Sequence, residues 1–509
     1  MLSLFDNGAP APCPAPFNLA AYVLAEAETV PDRNALQIVR PTGAERWSYG
    51  KLAAAVRGTG TGLLALGLSP GDRVLLRLGN TVEFPILFLG AIAAGLVPVP
   101  TSSQLTAPEV AKIVAEIGPK LIAAGAGIAL PDSPPCPVLD EAALAALRDN
   151  APCDWQMGDP ERLAYIIYTS GTSGNSRAVM HAHRAIWARR MMWDGWYGMT
   201  GADRILHAGA FNWTYTLGTG LMDPWTLGAT ALIPGAGVTP AQLPLLLKRF
   251  DATIFAAAPG VYRQMLREHP KLDLPKLRHG LSAGEKLPDT VRHAWQQATG
   301  TEVHEALGMS ECSTFLSAAP GHPAPPGASG YPQQGRRIAV LGPDSAPVEI
   351  GTPGTLAVSD RDPGLFLGYL GAEDETRARF RGEWFVTGDT VSMAEDYAVT
   401  YLGRDDDMMN AGGYRVSPIE VETVVNRLDG VHESAAVEVT VKADATVIAC
   451  FYTGEALDPA ALSTHVAENL ARYKQPRIFV HRDSLPKGAN GKLLRRALRQ
   501  DYEAQNDPA

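Results

Sequence analysis

The sequence predicts an α/β fold: a large N-terminal domain of layered α/β subdomains with a β-rich subdomain at its end, then a small α+β C-terminal domain. Three observations carry this expectation. Short apolar strands alternate with helical patterns along most of the chain. From "RRIAVLG" at Arg336 the strands shorten and turns rich in Gly and Pro separate them. After the charged stretch "GRDDD", Gly403 to Asp407, helix-start signals and an alternating strand open a new unit.

Each element has its own reason. "DRVLLRLG" from Asp72, "KLIAAGAG" from Lys120, "RLAYIIYTSG" from Arg162 and "ATIFAAAP" from Ala252 are continuously apolar. Strands of that kind are covered on both faces, which implies parallel sheets between helices. "FPILFLGAIAAGLVPVP" from Phe84 reads as a buried helix ending at Gly95 and then a strand. It is too short and too rich in Pro and Gly to span a bilayer. "GTGTG", Gly58 to Gly62, echoes a dinucleotide loop but lies in an amphipathic helix pattern with no strand before it, so close packing is expected there. Near the C-terminus Ser417 and Glu420 form a capping-box pattern around Pro418, an apolar stripe follows, and Gly430 should end the helix. "AAVEVTV" alternates as a half-buried strand, and Asp458-Pro459 opens a further helix. A join at "GRDDD" gives domains of residues 1–403 and 404–509, and no internal repeat interrupts either.

Composition narrows the class. A chain of 509 residues exceeds what one core supports. With 46% hydrophobic and 19% charged residues it is globular, and a net charge of −10 argues against non-specific binding to nucleic acid. No Lys or Arg precedes Arg33, so the basic start of a secretory signal is lacking. The five cysteines are odd in number and show no paired metal-ligand spacing, which fits reduced thiols in a cytoplasmic protein. Neither a membrane nor nucleic acid is an expected partner, and a homodimer is left open.

Four segments carry chemistry. "TSGTSGNSR", Thr169 to Arg177, follows an apolar strand and precedes a helix-like stretch; such a turn offers backbone N–H groups and hydroxyls to an anion. It is not a Walker loop, and a flexible turn is the plain alternative. In "GEWFVTGDT", Asp389 follows a Gly after a strand, where a carboxylate can bridge two vicinal hydroxyls or merely cap the turn. In "EALGMSEC", Glu311 could hold a hard cation such as magnesium or be a solvated carboxylate. In "LPKGANGKLLRR", Lys492 follows a tight Gly turn and could reach a phosphate or belong to a basic tail.

Taken in order, with "WSYGKLAAAV", "APGVYRQML", "SAGEKLP" and "YLGRDDDMMNAGGYRVSPIEVE", these segments make the chain resemble the adenylate-forming superfamily of acyl-CoA synthetases, peptide-synthetase adenylation domains and luciferases. The resemblance implies an AMP-forming acid–CoA ligase using ATP, Mg²⁺ and CoA. Thr169, Ser170, Gly171, Thr172, Ser173, Gly174 and Arg177 would wrap the outer phosphates of ATP, with Arg177 where such loops usually carry lysine. Ala283, Gly284 and Glu285 would lie along the adenine. Leu307 stands where relatives often stack an aromatic ring. Ser310 would touch phosphate and Glu311 would hold Mg²⁺. Asp389 and Arg404 would take the ribose hydroxyls, with Tyr401 nearby, and Arg415 would contact the AMP phosphate. Lys492 would bridge the acid and the α-phosphate. The same resemblance implies that the small domain is mobile and turns about Asp406, removing Lys492 and bringing in Gly412 and Gly413 beside the pantetheine arm.

The acid pocket would be lined by Trp213, Tyr215, Ala306 and Gly308, and "AFNWTYTLGTG" is expected to place Phe211 with the first two. The stretch resembles that of benzoate-type aryl-CoA ligases more than that of long-chain enzymes, and aromatic walls favour a flat ring. If those rings only pack a core, a short or medium aliphatic acid fits as well. The chain ends soon after Lys492 without a carrier or condensation domain, so free CoA is the expected acceptor, with a carrier protein in trans as the alternative. Arg177 and Leu307 depart from the common pattern, as a catalytically silent adenylate-binding regulator would; Asp389, Arg404 and Lys492 argue against that reading. A phosphotransferase would need a kinase set that the sequence lacks.

Overall fold

Strands without a polar face need helices on both sides, and the computed structural model supplies them in two sheets. It describes residues 1–169, 177–405, 407–411, 414–442, 445–470, 472–488 and 491–506, without the side chains of residues 169, 410, 411, 414, 415, 442, 445 and 473. The central sheet has nine strands. Asn34–Arg40, Thr230–Pro234, Arg204–His207, Ile254–Ala257, His279–Ala283 and Val303–Met309 run parallel. Gly43–Ser48 closes one edge antiparallel, and Ser313–Ser317 with Tyr331–Pro332 closes the other. A second, four-stranded parallel sheet joins Val97–Pro100, Arg73–Arg77, Leu121–Ala124 and Val138–Leu139. The helix Glu83–Ala93 is buried almost throughout and gives way at Gly95 to the strand Val97–Pro100. Among the described residues no helix is long and apolar enough to cross a membrane.

The glycines Gly58 to Gly62 lie inside the helix Tyr49–Ala65. A Cβ at Gly60 would come within 2.7 Å of Cys153 Sγ, and one at Gly62 within 2.8 Å of Leu147 Cδ2. Close helix packing, not phosphate binding, requires them. All five cysteines are unpaired.

One expectation is corrected. The segment after the Thr169 loop is not the start of a helix: Arg177–Ala182 is a strand, antiparallel to Leu163–Thr169, with Gly368–Tyr369 on its other edge. Its residues suit a helix, but pairing on both edges and burial of Ala178, Val179 and Ala182 decide for extended backbone. The helix starts only at Ala185. Leu163–Thr169 therefore belongs to an antiparallel hairpin rather than to a parallel sheet.

The β-rich subdomain is antiparallel and six-stranded, built on Arg337–Leu341, Gly354–Ser359, Trp384–Met393 and Val399–Arg404. Its outer strand is Leu4–Asp6 from the N-terminus, which no sequence pattern announced. Beyond it, Ser417 accepts a hydrogen bond from the Glu420 N–H and starts the helix Pro418–Val425. Glu420 does not complete the box, since its carboxylate pairs with Lys474. That helix stops at Val425; Gly430, at φ +90°, instead makes the turn into the strand Val431–Lys442. This strand pairs with Ala445–Gly454, which pairs in parallel with Ile478–His481.

Five histidines are buried without charge. Burial lowers His181 and His279 to about 4, and His183, His207 and His304 to about 3. The unfolded chain binds these protons near pH 6.5, whereas the folded chain refuses them until much lower pH. Stability is therefore unaffected above pH 6.5 and is lost as pH falls below it, by about 1.4 kcal/mol per histidine per pH unit. The unfolding midpoint should drop steeply between pH 6.5 and 5 in differential scanning calorimetry; a flat profile over that range would contradict the neutral burial of these rings.

Candidate active site

In open α/β sheets the crevice for ligands lies beyond the carboxyl ends of the strands. Here His279–Ala283 runs into Gly284 and Glu285, and the neighbouring Val303–Met309 runs into Ser310 and Glu311. Ala283 and Ala306 are register partners and both are buried. The pairing shifts between Leu307 and Gly308, and a Cβ at Gly308 would collide with the carbonyl of Ser313. That bulge delivers Ser310 and Glu311 to the edge of the sheet. Leu307 pairs with Leu316 and packs half-buried on the β-rich core.

The strand Arg204–His207 leads to Trp213 and Tyr215, which precede a π-helical stretch, Thr216–Met222. Tyr215 is buried, and its hydroxyl donates to the Leu281 carbonyl at 3.0 Å. Its ring is thereby fixed, edge-on to Trp213 at 5.2 Å and to His207 at 4.3 Å. The six-membered ring of Trp213 covers Gly284, where a Cβ would stand 2.7 Å from it. Trp213, expected on the acid wall, thus also brings an aromatic face to the Ala283–Glu285 segment. Phe211 is not grouped with them: it is buried in another core cluster against Phe84, at 5.2 Å. The chain turns between them, with the Trp213 N–H donating to the Ala210 carbonyl at 3.0 Å, so the two rings leave on different sides.

Asp389 lies opposite Arg404 in the hairpin register, and Arg404 Nη1 donates to Asp389 Oδ1 at 3.0 Å. Burial raises the Asp389 carboxyl above its ordinary value, while Arg404 and then Lys492 pull it down. Lys492 therefore stands close enough for its charge to act on Asp389, although the two are 103 residues apart in sequence. Its turn is tight: the Gly488 N–H donates to the Lys492 carbonyl at 2.7 Å, with Gly491 at φ +79°. Burial and then the Asp389 charge raise the nearby Tyr401 phenol well above its usual range. Glu311 accepts from the Tyr369 hydroxyl at 2.7 Å through one oxygen. Its other oxygen takes no hydrogen bond among the described residues, which suits a carboxylate that shares a cation with substrate phosphates. Arg177 Nε pairs with Glu375 Oε2 at 2.5 Å, so a helix beyond the hairpin already engages this cation.

The two domains meet through a shared carboxylate that sequence reasoning missed. Glu433, on the strand Val431–Lys442, receives Arg263 Nη1 at 2.8 Å and Lys487 Nζ at 2.7 Å. Burial raises its carboxyl, but Arg263 and Lys487 more than offset this and hold it below the ordinary value. Arg263 belongs to the helix Pro259–Glu268 and also faces Glu285 at 3.9 Å. Lys487 forms an isolated bridge with Leu493 at the base of the Lys492 turn. One ion-pair chain therefore runs from Glu285 to the loop that carries Lys492. The signal in sequence was slight: an Arg in "GVYRQML" and a Glu at the head of a strand.

Ser170, Gly171, Thr172, Ser173, Gly174, Asp406, Gly412 and Gly413 lie outside the described residues, as do the side chains of Thr169 and Arg415.

Buried Asp389 paired with Arg404, Glu311 with one oxygen bound to Tyr369, and Lys492 acting on Asp389 thus lie together in the described residues. The description "AMP-binding enzyme" matches residues 23–370, and "AMP-binding enzyme C-terminal domain" matches residues 420–492. The chain belongs to the AMP-binding enzyme family. It is 32% identical to a benzoate–CoA ligase of Thauera aromatica, over 90% of this chain and 91% of that one. A 3-hydroxybenzoate–CoA ligase of Aromatoleum sp. (strain CIB) is 30% identical over 91% and 93% of the two chains. A benzoate CoA ligase from Burkholderia xenovorans LB400 superposes with a TM-score of 0.86 at 29% identity, over 95% of this chain and all of that one. With this fold and these relatives, the chain is an AMP-forming acid–CoA ligase that uses ATP and CoA.

Replacing Glu433 with Gln keeps the shape of the bridge and removes its charge. Acyl-adenylate formation, followed as acid-dependent pyrophosphate release, should fall about 10-fold or more while the unfolding midpoint stays near that of the parent. An unchanged rate would show that the bridge does not seat the Lys492 turn.

Proposed function

We propose that the chain activates a benzoate-like aromatic acid and transfers it to free CoA. The observation that carries this reading is the fixed pair Trp213 and Tyr215, packed in one cluster with Ala283 and Ala306 at the carboxyl ends of the sheet. Two small alanines leave room for a flat ring, and edge-on aromatic walls favour it by about 0.5–1.5 kcal/mol beyond area burial. The relatives that share nine-tenths of the chain are named for benzoate and 3-hydroxybenzoate, which supports the same class.

The roles follow the chemistry. The acid carboxylate attacks the α-phosphorus of ATP, pyrophosphate leaves, and a mixed anhydride with AMP forms. Two anions meet in that step, so positive groups aimed at the phosphate matter most. Lys492 would bridge the carboxylate and the α-phosphate; losing such a group commonly costs about 10²–10³ in rate. Ser310, Thr172 and the other residues of Thr169 to Arg177 would hold the phosphates. Glu311 would hold a Mg²⁺ ion shared with those phosphates, which supplies charge neutralisation on their oxygens. Ala283, Gly284 and Glu285 would flank the adenine, with the Trp213 ring in reach, while Asp389 and Arg404 take the ribose. In the second step the CoA thiol attacks the acyl carbon and AMP leaves, with Gly412, Gly413 and Arg415 beside the incoming arm.

The domains would be residues 1–403 and 404–509, with the small one turning about Asp406. Asp405 accepts from Thr390 and, at 3.4 Å, from Thr355 in the β-rich sheet, whereas Asp407 faces Arg495 of the last helix at 3.5 Å. Backbone ownership changes within two residues, as a hinge requires. Five unpaired cysteines fit a reducing, cytoplasmic setting.

A thioester assay with AMP release as readout, run over benzoates, aryl-alkanoates and short to medium aliphatic acids, tests the substrate class. Benzoates should give the highest kcat/KM. A preference for aliphatic acids would overturn the aromatic reading.

A further inference from the structure

One face of the central sheet carries a row of side chains that runs across neighbouring strands. Ala283 pairs with Ala306, Ala306 with Ser317, and Ser317 with Tyr331. Register partners stand on the same side of a sheet, so these residues lie in line. The row starts among the acid-wall residues, since Ala283 and Ala306 share a core cluster with Tyr215 and Trp213. It ends in a cavity of about 680 Å³, which Ser317 and Tyr331 line together with Trp187, Met191, Trp193 and Gly195. The lining also includes the exposed Arg190 and Asp194, so this cavity opens to solvent. The chain crosses the row at Gly195 and Trp196, within the π-helical stretch Trp193–Tyr197. On the cavity side, Ser317 Oγ donates to the Gly195 carbonyl at 2.6 Å. On the acid side, the fully buried Trp196 stacks its ring on Tyr215 at 5.7 Å. Its indole N–H donates at 3.0 Å to the carbonyl of His304, on the same strand as Ala306.

Resting on the aromatic-acid reading above, we propose that Trp196 is the end wall of the acid pocket and that the cavity is its closed-off continuation. Trp196 is then a specificity-determining residue that holds the acid to a ring without a long apolar tail. Ala283 and Ala306 have no bulk with which to stop such a tail, so the stop falls to the next large side chain along the row. An indole is broad and flat. Its hydrogen bond to the His304 carbonyl and its stack on Tyr215 fix the ring from two directions, so it does not swing aside as an unanchored side chain can. The far side needs no rebuilding. Trp187, Met191, Trp193 and Tyr331 already supply an aromatic and apolar lining, and the volume lies within the range of small-molecule sites. An alkyl tail on the ring, meta or para to the carboxylate, would enter that lining once the indole is gone.

The experiment compares kcat/KM for benzoate, 3-butylbenzoate and 4-butylbenzoate in the parent enzyme, Trp196→Ala, Trp196→Leu and Met199→Ala. Met199 is buried in the same core cluster but outside the row, so truncating it loosens packing and leaves the wall in place. The parent should prefer benzoate to both butylbenzoates by about 10-fold or more, and Trp196→Ala should erase or reverse that preference for one of them. Trp196→Leu keeps more of the core and serves if the alanine variant does not fold; it should move the ratio the same way by a smaller factor. Met199→Ala should keep the parent's ratio. An unchanged ratio in the folded Trp196 variants, or an equal gain in Met199→Ala, would overturn the end wall. A parent that uses a butylbenzoate as readily as benzoate would overturn it too, while leaving the aromatic reading intact. If the parent favours aliphatic acids, the aromatic reading fails, and the same variants are judged on decanoate against butanoate. A gain for decanoate confined to the Trp196 variants then upholds the wall, and its absence overturns it.

Discussion

A single carboxylate shared by two cations ties the halves of the site together. Glu433 belongs to the C-terminal domain, yet it is gripped by Arg263 of the N-terminal domain and by Lys487 at the root of the Lys492 turn. A lysine on a short glycine turn has no fixed place by itself, because its side chain gives up considerable rotamer freedom when held. The bridge confines the base of that turn. It also acts on Glu285, which burial raises and Arg263 and Lys487 lower. An ion pair of this sort is strong only while water is kept away, so it reports the seated arrangement rather than stabilising the fold at large.

The remaining architecture explains why the groups converge where they do. Parallel strands present their carboxyl ends on one edge, and the chain uses that edge repeatedly: Gly284 and Glu285 after one strand, Ser310 and Glu311 after the next, Trp213 after a third. Two π-helical stretches, Trp193–Tyr197 and Thr216–Met222, border the same region. Such turns place side chains off the regular helical faces and recur at functional sites. Here Tyr197 and Thr219, one from each stretch, both meet the Arg189–Asp223 pair.

Much of this was legible in the residues. Continuous apolar runs gave true strands, the Ser417 and Asp458 caps gave true helix starts, and glycines 58 to 62 were recognisable as packing. That Asp389 and Arg404 pair, and that Lys492 follows a glycine turn, agrees with where the resemblance put them. What was hidden depended on distance. Arg177–Ala182 became a strand through partners on both edges, and Leu4–Asp6 acquired its role from a sheet more than 300 residues away. Arg189, Asp223 and Ser313 are unremarkable one by one; their network exists only once three separate segments meet. Phe211 and Trp213 were indistinguishable by type, and only the backbone path sends one to a core and the other onto Gly284.

The central claim is that the first half-reaction depends on Lys492 delivered by the small domain, whereas the second does not. The most direct measurement sets two assays side by side for Lys492→Ala: acid-dependent exchange of labelled pyrophosphate into ATP, and thioester formation from preformed aryl-AMP and CoA. The account predicts that exchange falls by about 10²-fold or more while thioester formation is largely kept. Equal losses in both assays would contradict it.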